Sequence, residues 1–319
     1  MFVIIPRARQ ADSPTSCKSR TAAPCLDFAG RTAVLASIRP LPSQHSNPVQ
    51  SVEEITSAQN PLVKLARALE RKKARVESGL FLTEGARHVT EGLDNGWQLS
   101  ALLLSDAATD RDQVRALARR ALEHGARVAR VPERVLESLT HRDNAQNVIA
   151  LFHMRLAGLD ALAGARRLIA LERPRDPGNL GTIIRLADST GCGGVVILEE
   201  GCDPFSVEAV RASMGSVFAV PVVRCGVGAF DAWRRGEGFQ LIGTSLEGSV
   251  RHTDVDVGAR TCILMGNEQS GLPPAMAALC DGLVRLPMAG RADSLNLALA
   301  TAVTVYEVWR RSGFDGARF

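Results

Sequence analysis

The chain has no apolar run approaching the ~18 residues that a membrane helix requires. Its longest apolar stretches, around Leu168–Leu171 and Gly193–Leu198, have strand length. It also lacks any C-x-x-C pair. Its seven cysteines (Cys17, Cys25, Cys192, Cys202, Cys225, Cys262 and Cys280) are odd in number and scattered. This argues against a zinc site and a disulfide framework, and fits a reduced, cytoplasmic compartment. Cys192 reads as a small buried hydrophobe. No G-x-x-x-x-G-K-[ST] occurs, which disfavours a P-loop NTPase. The glycines of a dinucleotide-binding turn are missing where they are needed. Gly191-Cys192-Gly193-Gly194 precedes a strand-like run, and after Gly226-Val227-Gly228 an aspartate, Asp231, occupies the third glycine's place. The six histidines form no metal-ligand pattern.

Beyond residue 50 the chain also lacks net charge. Of the formal +4, all resides in residues 1–50, where six basic residues face Asp12 and Asp27. That segment holds six of the fifteen prolines and no glutamate, and shows no sustained apolar period. Residues 1–51 therefore read as a disordered extension. An upstream-extended start, a basic tail and an organelle transit peptide are the three explanations. With the remainder neutral, only a local cluster can announce a polyanionic partner. One exists at Lys64, Arg67, Arg71, Lys72, Lys73 and Arg75.

From Glu53 the pattern becomes regular. Asn60 can cap a helix with Pro61 in its first turn, and Leu62, Leu65, Leu69 and Val76 follow at helical spacing. Strand-like runs at Gly79–Gly85, Leu99–Leu104, Ala126–Val131 and Asn147–Phe152 alternate with helical segments. Residues 52–155 therefore predict a small α/β domain. Its basic helix face is suited to contacting phosphates without reading sequence, although a solvated face would look the same. Arg75, Glu84 and Arg87 are the first residues to test there. His141-Arg142, in a polar loop, is a weaker candidate.

Residues 160–319 predict a second, mostly parallel α/β domain. Three polar strings adjoin its strands: Asp176-Pro177-Gly178-Asn179-Leu180-Gly181-Thr182-Ile183-Ile184-Arg185, Leu264-Met265-Gly266-Asn267-Glu268-Gln269-Ser270-Gly271-Leu272, and Leu286-Pro287-Met288-Ala289-Gly290 running on to Ser294-Leu295-Asn296. Such strings belong on the rim of an open sheet, where ligands bind. Arg185 lies among apolar neighbours, so an interior guanidinium in need of an anion is expected. Gly266 permits close backbone approach. Asn267-Glu268 offers an amide and a carboxylate, or only a turn. Ser294 is expected to cap the last helix, from Leu295 to Arg311.

In this order, the three strings resemble the signature of the SpoU (TrmH-like) family of S-adenosylmethionine-dependent RNA ribose methyltransferases. The stretch from Ile55-Thr56-Ser57 through Gly85 is similar to the L30e-like substrate-binding domain that precedes many members' catalytic domains. The resemblance covers about residues 53–312. It implies a homodimeric α/β domain with a C-terminal trefoil knot. It implies a methyl donor, S-adenosylmethionine, held at Thr244, Gly266, Leu286 and Leu295. It further implies catalytic or site-shaping roles for Asn179, Arg185, Glu268, Ser294 and Asn296, and no metal. RNA contact falls to Lys64, Arg71, Lys72, Lys73, Arg75 and Arg87. One departure follows Asn296, where Leu297-Ala298 replaces the family's common Val-Ser and loses a hydroxyl.

The reaction implied is 2′-O-methylation of a ribose. A guanidinium is a poor base at neutral pH. Arg185 is therefore expected to organise the target, clamping a phosphate and acidifying the hydroxyl by nearby charge. Asn179 and Ser294 would orient the ribose and phosphate, and Glu268 would position Arg185 or Asn296. Large-subunit ribosomal RNA is the first expectation for the substrate, and transfer RNA the second. A non-catalytic RNA-binding or ribosome-assembly protein keeping the fold is the alternative from another class. Leu299, Val303 and Tyr306 share one face of the last helix, suited either to a second copy or to internal packing.

Overall fold

A computed structural model describes residues 52–109, 111–140, 147–247 and 250–318. Residues 1–51 and the His141-Arg142 pair lie outside the described residues. After a two-residue strand, β1 (Glu53–Glu54), comes α1 (Pro61–Ala68). The Asn60 side chain accepts from Leu62 N at 2.8 Å, and Leu62, Val63 and Ala66 are buried beneath the helix. The expected long helix is in fact two. The chain leaves α1 at Leu69 and restarts as α2 (Lys72–Ser78). The apolar period suggests continuity through Val76, but Val76 is 64% exposed.

The break is filled by Arg75. Its Nη1 donates to the freed carbonyls of Leu69 (2.7 Å) and Glu70 (2.8 Å), and its Nε donates to Asp203 at 2.8 Å. Arg75 is 3% exposed. The expectation that it contacts RNA is therefore corrected. The side chain closes a helix terminus and pairs with a carboxylate far along the chain.

The domain continues through β2 (Leu80–Glu84), α3 (Ala86–Asp94), β3 (Leu99–Ser105), α4 (Asp112–Glu123), β4 (Arg127–Val131), α5 (Glu133–Glu137) and β5 (Val148–His153). Its five-stranded sheet has the order β1-β4-β3-β5-β2, with β5 antiparallel to both neighbours. Helices α1 and α5 cover one face, and α3 and α4 the other.

The second sheet is built from β6 (Arg167–Glu172), α6 (Pro177–Ser189), β7 (Val195–Leu198), α7 (Val207–Ser213), β8 (Val222–Cys225), α8 (Val227–Gly236), β9 (Gln240–Thr244), β10 (Val250–Arg251), β11 (Thr261–Met265), α9 (Pro274–Ala277), β12 (Gly282–Arg285) and α10 (Leu297–Arg311). All pairings are parallel, in the order β10-β12-β9-β11-β6-β7-β8. Such a sheet must be covered on both faces. Helices α6, α7 and α10 bury one face, while α8 and α9 bury the other. Residues 218–223 are apolar enough to read as one strand, but β8 starts only at Val222. Val217 and Phe218 are instead drawn into a short 3-10 turn and buried.

One hydrophobic core joins the two sheets. Phe81 and Trp97 of the first domain pack on Phe205 and Phe218 of the second, with Phe81–Phe205 centroids 4.9 Å apart and Trp97–Phe218 5.3 Å. Trp97 Nε1 donates to Phe218 O at 2.8 Å. Glu84, another candidate for RNA contact, is buried here and pairs with Arg211 at 3.0 Å. Aromatic pairs contribute roughly 0.5–1.5 kcal/mol each beyond area burial. The small domain is thus bolted to the large one rather than tethered.

Candidate active site

The site is assembled on the C-terminal rim of the parallel sheet. Strand β6 ends at Glu172, and the four residues Arg173–Asp176 lead into α6. Asp176 caps that helix, its carboxylate accepting from Asn179 N at 2.6 Å, and Pro177 fills the first turn. Gly181 lets α6 press on α7, since a Cβ there would lie 2.2 Å from Ala209 O.

Five strands later in sequence but adjacent to β6 in the sheet, β11 ends at Met265. The following loop folds back on itself, with Asn267 and Gly271 exchanging backbone hydrogen bonds at 2.9 Å each. A Cβ on Gly266 would meet the Gly271 carbonyl carbon at 2.3 Å, so only glycine fits. Asn267 is buried. Its Nδ2 donates to Arg173 O at 2.7 Å and its Oδ1 accepts from Gln269 N at 3.0 Å. Glu268 accepts from Arg175 N at 3.2 Å and from Asp176 N at 3.3 Å. Glu268 was expected to position Arg185 or Asn296. It instead holds the backbone of the loop that launches α6.

The third string starts at Leu286, next to β12, and ends at Asn296. In strand order β12 is separated from β6 by β9 and β11. The string nonetheless reaches α6, because Asn296 Nδ2 donates to Asn179 Oδ1 at 2.9 Å. It therefore traverses the rim above β9 and β11. Asn296, not Ser294, caps α10, its Oδ1 accepting from Ala298 N (2.9 Å) and Leu299 N (3.4 Å). The expectation for Ser294 is corrected on this point. It lies two residues outside the helix, exposed, and its hydroxyl has no partner among the described residues.

Two helix N termini, of thirteen and fifteen residues, are thereby joined through an asparagine pair. Each directs unsatisfied N–H groups and a partial positive charge outward. Asn179 Nδ2 has no partner among the described residues. Arg185 lies just over two turns into α6. The expected interior guanidinium is not found: Arg185 is on the exposed stripe with Thr182 and Ser189, while Ile183, Ile184 and Ala187 turn inward. Helical geometry separates it from its apolar sequence neighbours. Its guanidinium has no acidic partner among the described residues.

On the neighbouring rim, Thr244 Oγ1 donates to Leu264 O at 3.4 Å, and its Cα pairs with Val284. Leu286 is half-buried, while Met288 and Leu295 leave apolar side chains in contact with solvent. Burial pushes the Cys202 thiol up to about 12, with the Glu268 carboxylate adding to the effect. It is no nucleophile at neutral pH. Burial likewise raises Cys192. Among the described residues no cluster of metal-ligating side chains occurs.

Of the surface cations, Lys64, Arg71, Lys72, Lys73 and Arg87 are exposed. Lys73 makes only a 3.8 Å contact with Glu77. Sequence reasoning missed Asp176 as a cap and Asn267 as the tie between loops. The first was signalled by the Asp-Pro pair itself.

Residues 166–306 match the SpoU rRNA methylase family, and residues 60–150 match the MRM3-like substrate binding domain. The chain is 31% identical over 257 residues to the 23S rRNA (guanosine(2553)-2′-O)-methyltransferase RlmP of Bacillus subtilis, spanning 81% of this chain and 99% of that protein. The chain belongs to the SpoU rRNA methylase family. Among solved structures, the AdoMet-bound rRNA methyltransferase from Sinorhizobium meliloti superposes with a TM-score of 0.77 at 44% identity, covering 82% of this chain and 98% of that one. The SpoU methyltransferase AviRb from Streptomyces viridochromogenes, in complex with AdoMet, gives 0.71 at 30% identity over 82% and 100%. The strings that carry the resemblance are those that meet on this rim.

Proposed function

We propose that this chain transfers a methyl group from S-adenosylmethionine to a ribose 2′-hydroxyl of large-subunit ribosomal RNA. The observation that carries the proposal is the Asn179–Asn296 bridge, which joins two helix N termini, one of them that of the helix carrying the exposed Arg185. This rim favours an anionic group by geometry and charge. The likeness to 2′-O-methyltransferases acting on 23S rRNA, and to AdoMet-bound structures, supports the choice of donor and substrate.

The residues present fit the donor. Gly266 lets the following loop fold back tightly against the end of β11, which shapes one wall of the donor site. Thr244 ends β9, and Leu286 and Leu295 lie on the string after β12, with apolar side chains available as walls for a purine and a thioether. When bound, the donor supplies an electrophilic sulfonium methyl, so the protein must align the hydroxyl and ease the loss of its proton. Arg185 holds a phosphate of the target and lowers the hydroxyl's pKa by proximity of charge. Asn179 Nδ2 and the Ser294 hydroxyl orient the ribose. Glu268 acts at one remove, by fixing Arg175 and Asp176. We assign RNA holding to residues 52–155, through Lys64, Arg71, Lys72, Lys73 and Arg87, and catalysis to residues 160–319. The passage of residues 286–296 over the rim is assigned to the trefoil knot.

A homodimer belongs to the same proposal. Leu299, Val303 and Tyr306 follow one face of α10 and are 59%, 43% and 46% exposed, which leaves an apolar stripe open to a second copy. Scattering-detected gel filtration is expected to give twice the chain mass. No described helix is long and apolar enough to cross a membrane. A cytoplasmic location is proposed to match the substrate.

The test is methyl transfer to ribosomal RNA by wild type and Arg185→Ala, with S-adenosylmethionine binding measured by calorimetry in parallel. Turnover is expected to fall about 100-fold or more, as for removal of one transition-state donor, with donor binding intact. Retained turnover sinks the role of Arg185, and lost donor binding makes it structural.

A further inference from the structure

Arg173 occupies a backbone conformation that an arginine enters only at a cost. Its φ is 41°, in the left-handed region. A side chain there is strained because its Cβ crowds the following carbonyl oxygen, a crowding that glycine would avoid. Three ties hold the residue in place. Its N donates to Leu198 O at 3.2 Å, its O accepts from the buried Asn267 amide at 2.7 Å, and its Nε donates to Glu172 Oε1 at 2.5 Å.

Glu172 offers one explanation for the guanidinium. The carboxylate is 3% exposed at the end of a central strand and needs a counter-charge. Neutralisation alone does not account for the geometry. An arginine recruited only for that purpose would turn its terminal nitrogens inward and satisfy both oxygens through its fork. Here only Nε is used. Oε2 of Glu172 is buried with no partner among the described residues. Both terminal nitrogens of Arg173 likewise lack one, and its side chain is 56% exposed. The carboxylate grips the neck of the guanidinium and leaves the fork free.

The position of that fork is informative. Pro174, the next residue, accepts from Cys202 N at 2.7 Å, and Asp203 takes Arg75 of α2. Helix α2 also carries the exposed Lys72 and Lys73. On the other side, Arg175 and Asp176 lead through Glu268 to Asn179 and Asn296. Arg173 thus stands on the rim between the basic helix and the paired helix N termini.

We propose that Arg173 is an RNA-contacting residue whose two terminal nitrogens hold a phosphodiester of the strand carrying the target nucleotide, with Glu172 as the positioning residue that fixes Nε. The proposal rests on the RNA methyltransferase reading above. It adds a phosphate contact between the α2 cations and the reaction centre, so that a strand bound along α2 enters the site in one direction.

The experiment uses the full chain and a large-subunit ribosomal RNA transcript. RNA affinity is measured across a salt series for wild type, Arg173→Gly, Arg173→Gln and Glu172→Gln, together with KM for RNA, kcat and the thermal midpoint. Arg173→Gly relieves the strained φ and is expected to hold or raise the midpoint. Its RNA affinity is expected to fall about tenfold, and its log–log salt slope by roughly 0.7–0.9, the signature of one lost phosphate contact. KM for S-adenosylmethionine stays unchanged. Arg173→Gln gives the same binding result should the glycine variant fold poorly. Glu172→Gln keeps the salt slope but raises KM for RNA, because the fork is present and no longer held. Wild-type affinity and slope in both Arg173 variants would overturn the proposal and leave Arg173 as a counter-ion. A wild-type protein that neither binds nor methylates ribosomal RNA overturns the parent reading instead, and the two failures are distinguished by the wild-type control.

Discussion

Arg75→Met separates a structural cation from the RNA-facing ones around it. The guanidinium makes three hydrogen bonds, one to Asp203 and two to the carbonyls that end α1. Removing one partner of a buried ion pair costs about 3–5 kcal/mol. Asp203 keeps 12% of its side chain accessible, which lets water reach it and places the loss near the lower end, about 3 kcal/mol. For a protein of this size that is a fall in thermal midpoint of roughly 6–12 °C. Adding Asp203→Leu removes the stranded carboxylate and is expected to recover about half of the loss, while the Leu69 and Glu70 carbonyls remain unmet. Melting curves of the two single variants and the double give the coupling. RNA binding is the contrasting readout. The folded Arg75→Met protein should keep the wild-type salt slope, whereas Lys72→Ala with Lys73→Ala should lower it by about 1.5. An unmoved midpoint together with a lowered slope for Arg75→Met would refute the structural assignment.

Two further substitutions test the site and the acid behaviour of the last helix. Asn296→Asp keeps an acceptor for Ala298 N and Leu299 N and suits the helix dipole, but it cannot donate to Asn179. Stability should change by less than about 1 kcal/mol, while turnover falls at least tenfold; turnover equal to wild type would show that the bridge is dispensable. Glu307 accepts from Arg310 and Arg311, and the hydrogen bond from Arg310, followed by that from Arg311, holds its carboxyl down at about 2. A depressed carboxylate stabilises above its unfolded value of about 4.3 and loses that contribution as pH falls through the folded value. The stability difference between wild type and Glu307→Gln should therefore be full above about pH 4.3 and vanish near pH 2. A difference independent of pH over that range would locate the effect in packing.

What could be read from the sequence was what local chemistry decides. Asn60-Pro61 starts a helix where a cap and a proline belong, and the three polar strings do lie beside strands of one parallel sheet. Features set by distant partners could not be read. The pairing of Arg75 with Asp203 spans 128 residues, so a basic cluster in the sequence concealed a buried counter-ion. Arg185 has apolar neighbours in the chain, but a helix turns successive residues through about 100° and sends them to different faces. Ser294 and Asn296 are both good caps, and the choice fell to Asn296 because its second group reaches Asn179. Glu268 could be recognised as a site residue, but not as the clamp on Arg175 and Asp176, since that contact depends on β11 lying next to β6.

The most direct measurement is a map of 2′-O-methyl groups in ribosomal RNA from a strain deleted for this chain, from the same strain complemented with wild type, and from one complemented with Arg185→Ala. We predict one position in large-subunit RNA that is methylated with wild type and unmethylated in the other two. Identical maps in all three strains, or a lost mark on a base rather than a ribose, would contradict the assignment.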